Sequence, residues 1–158
     1  MYAPTSDSVV LASPQLMAAP PASEPPQRRA LILKGTPEPL GRVPFHADGP
    51  LTRWLLASAS MDPAANVHVA VHEFSGVAPA HRGYCQPHVH ERDEINVLHT
   101  TGSLAVEYVL DGETTLVEAP ATVLIPARVR HSANVRSGSG FMVVVLLDGE
   151  YRATTGNT

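Results

Sequence analysis

From residue 52 to residue 147 the chain is written as short runs in which apolar and polar residues alternate, each closed by a turn residue. This period of two suits strands and cannot be met by helices. Val67-His68-Val69-Ala70-Val71-His72 is the plainest case. The three valines share one face, and His68, Ala70 and His72 share the other. The valine face reads as the natural core side, so His68 and His72 are expected to point outward. Strands are expected over residues 52–60, 67–74, 86–90, 94–99, 103–110, 113–118, 122–126, 131–136 and 141–147. Asp62-Pro63 marks a turn between the first two, and Asp111-Gly112 is the strongest hairpin signal. Many short strands without a sustained helical period define an all-β sandwich or barrel, and the pattern alone leaves an immunoglobulin-like sandwich open. There is no internal repeat.

A chain of 158 residues suits one domain with enough core to dispense with disulfides, and Cys85 is the only cysteine. A reducing cytoplasm is therefore the expected setting. Apolar residues make up 44% and charged residues 16%, which implies a folded core. The net charge is -4 and the ten arginines and single lysine are scattered singly or in pairs, so no basic stripe is available for nucleic acid. No run approaches the ~18 apolar residues of a membrane span. Ten of the 15 prolines precede residue 51, so residues 1–30 read as a Pro-rich, extended tail without the apolar run of a signal peptide. The barrel is expected over 31–152, opening with Leu31-Ile32-Leu33 as an added edge strand, and a short tail over 153–158.

The chemistry is concentrated in His88-Val89-His90-Glu91-Arg92-Asp93-Glu94. On an extended chain His88 and His90 face the same way, and Glu94 has even parity with them, so a bend at Glu91–Asp93 brings its carboxylate to the same point. With His131 further on, two imidazoles, a carboxylate and a distant imidazole make a divalent transition-metal inventory (Fe, Mn, Ni, Co, Cu or Zn) rather than a calcium cage. Asp93 falls on the opposite face and suits a salt bridge or an acceptor for an imidazole N–H. Asn96 has the parity to enter the pocket and His99 does not. His46 and His81 have still less support. Tyr108, Trp54, Phe141 and Met142 lie within strands and read as core or pocket wall, and Cys85 as a packed thiol.

These residues resemble the cupin superfamily, whose first motif reads roughly G-x5-H-x-H-x3/4-E-x6-G and whose second reads G-x5-P-x-G-x2-H-x3-N. Gly83 precedes His88 with four intervening residues rather than five, the His-x-His-x3-Glu core is intact, and Gly102 lies one residue late. In the second motif Pro120 replaces the first glycine, Pro126 and His131 keep their spacing, Arg128 replaces the second glycine, and Asn134 comes one residue early. A glycine at the Arg128 position usually serves a backbone with positive φ, so a different local turn is expected there. The resemblance covers roughly residues 51–148 and implies a double-stranded β-helix, the jelly-roll cupin barrel. It further implies one divalent metal per chain on His88, His90, Glu94 and His131, Fe(II) foremost, with Glu94 doubling as catalytic base. A small oxygen-bearing substrate and O2 would meet at that ion, with Asn96, Arg128 and Tyr108 as substrate-binding residues. Arg130 shares the loop of Arg128. The ligand set is similar to that of quercetinase-type and acireductone dioxygenases rather than the three-histidine thiol dioxygenases, and related small cupins act without redox as isomerases, lyases or polyketide cyclases. A homodimer is implied too. The reading from another class is a non-catalytic small-molecule-binding or sensor module, although a regulator would be expected to carry a DNA-binding helical segment.

Overall fold

The structure, a computed structural model, describes residues 31–79 and 82–156. The expectations for the tail over 1–30, for His81 and for the last two residues lie outside them. Eight strands follow in order: β1 (Thr36–Pro37), β2 (Leu51–Ala57), β3 (His68–Val77), β4 (Glu94–His99), β5 (Leu104–Leu110), β6 (Glu113–Glu118), β7 (Ala121–Ile125) and β8 (His131–Leu146), with one 3-10 turn at Leu40–Arg42. All strand pairs are antiparallel. β1, β2, β3, β8, β4 and β7 lie side by side, and β5 pairs with both β6 and β8. The fold is the expected all-β jelly roll. The β5–β6 hairpin turns at Asp111 (φ 47°) and Gly112 (φ 91°), the two positive φ values that a tight two-residue hairpin requires.

β8 is the seam. Its first half pairs with β5 and its second half with β3 and β4, so one strand serves both walls of the barrel. Two separate strands were expected here, at 131–136 and 141–147. The chain instead bends without ending, because Gly138 (φ 98°) and Gly140 (φ 154°) adopt conformations closed to other residues. A Cβ on Gly138 would lie 2.0 Å from the Ser103 carbonyl oxygen. Gly138→Ala is expected to cost about 2 to 5 kcal/mol, from backbone strain plus overpacking. Urea unfolding would report it as a lower midpoint at unchanged slope, and an unmoved midpoint would mean that the corner yields.

The interior is built from Phe74, Leu98, Leu104, Val106, Tyr108, Ile125, Val135, Met142 and Val144. Along β3 the buried face is His68, Ala70, His72 and Phe74, which reverses the expectation that the valine side faces the core. The reason is that this sheet is apolar on both sides. Val71 pairs laterally with Trp54 and Val143, and Val143 with Val97, forming an outer apolar row that alternation alone cannot tell from the inner one. Trp54 and Phe141, expected as core or pocket wall, lie on this outer face, at 37% and 42% exposure, whereas Met142 is buried. Leu31, Ile32 and Leu33 are exposed and belong to no strand. The edge strand is instead Thr36–Pro37.

Candidate metal centre

Pro87 interrupts regular pairing before the first histidine, so residues 86–90 form isolated bridges rather than the expected strand. Those bridges matter more to the site than a strand would. His88 and His131 sit directly opposite each other and exchange both backbone hydrogen bonds, at 2.9 and 2.8 Å, which delivers the distant histidine to the near ones. Val89 is bridged likewise to Thr154, inside the segment read as a C-terminal tail. Glu94 opens β4, where it pairs with Leu146 of β8 and Ile125 of β7.

His88, His90, Glu94 and His131 are all buried. Each imidazole has Nδ1 against a main-chain carbonyl: His88 on Gln86 at 2.8 Å, His90 on Arg152 at 2.5 Å and His131 on Val129 at 3.0 Å. A carbonyl only accepts, so Nδ1 carries the proton, and the neutral ring presents its lone pair from Nε2. Glu94 Oε2 lies 3.1 Å from His90 Nε2 and 3.6 Å from His131 Nε2. Both of those nitrogens are buried without a hydrogen-bond partner, a state that ordinarily costs about 1 to 3 kcal/mol each. Converging, unsatisfied imidazole nitrogens beside a buried carboxylate fit a divalent transition ion, and the three imidazoles, with donor atoms within 4.8 Å of one another, could hold one. Burial alone would raise the Glu94 carboxyl; the facing His131 and His90, where protonated, outweigh it and hold the group well below its usual range, and a metal cation between them would act in the same direction. Burial pushes His88 down to about 3, keeping it neutral.

The structure extends the site with residues that the sequence reading passed over. His46, Arg53, His72 and Tyr151 line the same cavity, and the Tyr151 hydroxyl lies 3.0 Å from His88 Nε2. His68 and His72 face inward and not outward. Burial lowers them to about 4 and about 3, and the Arg53 cation adds to the effect. Arg53 is itself buried on β2, opposite His72, and its Nη2 donates to His68 Nε2 at 2.9 Å. A signal for it was present, since Arg53 shares strand parity with Leu51 and Leu55, and a cation on an apolar face needs an explanation. Tyr151 follows the last strand in an irregular segment and carries no such signal.

The remaining expectations divide. Asn96 enters the cavity wall and His99 turns out to solvent. Cys85 is packed and burial pushes its thiol up to about 12. Asp93 accepts the Ala127 N–H at 2.8 Å, so it anchors the loop before His131. Tyr108 is fully buried with its hydroxyl on Met142 Sδ at 3.5 Å, so it backs the cavity wall and does not line it. Arg128 stands away from the centre. Its side chain is 78% exposed and paired with Glu91 at 2.9 Å, in a separate cleft that it shares with Arg130. Nor is its turn different: Arg128 keeps positive φ (67°), and its N–H reaches the His90 carbonyl at 2.8 Å. The backbone bond holds the left-handed turn despite the missing glycine.

The chain matches no protein-family profile, and no curated protein resembles it significantly in sequence. Its fold does have solved counterparts. The polyketide cyclase RemF from Streptomyces resistomycificus is similar at 20% identity and a TM-score of 0.54, over 83% of this chain and 86% of that one. A cupin-like protein from Thermotoga maritima is similar at 16% identity and a TM-score of 0.51, over 70% and 82%. An oxalate decarboxylase is similar at 13% identity and a TM-score of 0.50, over 83% of this chain and 34% of its own length. The chain shares the fold of these cupin-like structures.

Proposed function

We propose that this protein is an enzyme with one divalent transition metal on His88, His90, Glu94 and His131, acting on a small oxygen-bearing organic substrate. The observation that carries the reading is the convergence of buried, partnerless Nε2 atoms on the Glu94 carboxylate. A bound ion would supply Lewis-acid polarisation of a substrate oxygen and, as Fe(II), access to O2. Glu94, the carboxylate at the centre, is placed to accept a proton from a substrate hydroxyl or enol. The backbone carbonyls hold the imidazoles in the tautomer whose lone pair is on Nε2, and the Nε2 of His88 accepts the Tyr151 hydroxyl where no ion takes that lone pair. The three-histidine, one-carboxylate set favours an iron-dependent dioxygenase. A second reading, non-redox isomerase, lyase or cyclase chemistry, draws on Tyr151, whose hydroxyl provides a proton donor in the cavity that Glu94 also lines. It also draws on the likeness to RemF. A cytoplasmic location and pairing of two copies belong to the same proposal.

Metal analysis of protein purified without added ions, combined with oxygen uptake on a panel of enediols and phenols, tests both readings. About one ion per chain is expected. Iron with O2 consumption supports the dioxygenase, and zinc or nickel with turnover under nitrogen supports the second reading. Protein that neither carries a transition metal nor takes one up on reconstitution is not a metalloenzyme.

A further inference from the structure

The cavity at the metal centre is small. It has room for water centres of only about 30 Å³, enough for one or two waters and too little for an organic molecule. A second cavity, of about 230 Å³, adjoins it, and Val43, Arg53 and Tyr151 line both. Anything larger than a water that reaches the centre from this side passes Arg53 with its body still in the outer cavity.

Arg53 is the feature there that calls for an anion. Its side chain is only 3% exposed, and its donors are met by a neutral histidine, His68, and by one carboxylate, that of Glu38. Glu38 belongs to the segment just after β1, lines the outer cavity and is itself 32% exposed. A guanidinium presents five donors in a planar fork, more than these two partners use, and it matches carboxylate geometry.

We propose that Arg53 is the anion-binding residue of the substrate site and that the ligand is an organic carboxylate, its acid group replacing Glu38 on the guanidinium while its body occupies the outer cavity. The substrate class rests on the reading of the centre as catalytic, but the subsite itself does not. Glu38 is then a built-in competitor, a carboxylate of the chain held where the ligand's carboxylate will sit. A purely structural pair would behave otherwise, since removing either partner would loosen the same region and weaken binding.

The test is calorimetric titration of metal-free full-length protein with benzoate, and with benzamide as its uncharged counterpart, so that a failure of the metal reading leaves this result standing. Benzoate is expected to bind about tenfold or more tightly than benzamide, and Arg53→Gln should remove that preference. Glu38→Gln should tighten benzoate several-fold. Thermal melts establish that each variant is folded, and the double variant Arg53→Gln/Glu38→Gln, which buries no unpaired charge, stands in should Arg53→Gln unfold. Equal binding of benzoate and benzamide, no binding of benzoate, or weaker binding in Glu38→Gln would each overturn the proposal.

Discussion

His90→Ala is expected to lower metal affinity by more than about 100-fold, since loss of a ligand should exceed the 10- to 100-fold typical of an outer-shell partner. His90 stands 3.1 Å from Glu94 and its ring is fixed by the Arg152 carbonyl, so its Nε2 is held at the centre. Competition against a chromogenic chelator measures the constant directly. His99→Ala is the control, because that side chain faces solvent on the same strand that starts with Glu94. Should His90→Ala retain the ion as tightly as the parent, the centre lies elsewhere.

Glu94→Ala is expected to reduce turnover by about 10²- to 10⁴-fold, the range associated with loss of a positioned acid or base. Its carboxylate is the anionic member of the set and the acceptor nearest His90 and His131. Removal raises the net charge on the ion and takes away the proton sink together. Arg128→Ala should leave kcat and KM within about twofold, because its side chain forms an exposed ion pair outside the cavity of the centre and contributes little. Near-parental turnover of Glu94→Ala at full metal occupancy would mean that three histidines suffice.

What could be read from the chain follows from which interactions are local. Strand parity correctly grouped His88, His90 and Glu94, because alternation survives even where Pro87 reduces the strand to isolated bridges. Asp111-Gly112 announced its hairpin because both residues tolerate the positive φ that the turn demands. Parity failed at His68 and His72 for a physical reason: alternation reports two faces but not which one the barrel closes around, and here the outer face is as apolar as the inner. The role given to Arg128 failed differently. Closeness in sequence to His131 said nothing about direction, and the left-handed turn at Arg128 leaves its side chain in solvent with Glu91. Tyr151 was out of reach altogether, since its place depends on a C-terminal segment folding back so that the Arg152 carbonyl meets His90.

That backbone support bears on how such a site can be inherited. The acceptors that orient the three imidazoles are the carbonyls of Gln86, Val129 and Arg152, and every amino acid carries a carbonyl. A point substitution at any of the three changes a side chain and leaves the acceptor in place, provided the chain path holds. The centre is thus sheltered from most single mutations around it and exposed to those that move the path, above all one-residue insertions or deletions between Gln86 and His90 or between Val129 and His131. Its walls can diverge toward new substrates while the geometry of its donors persists.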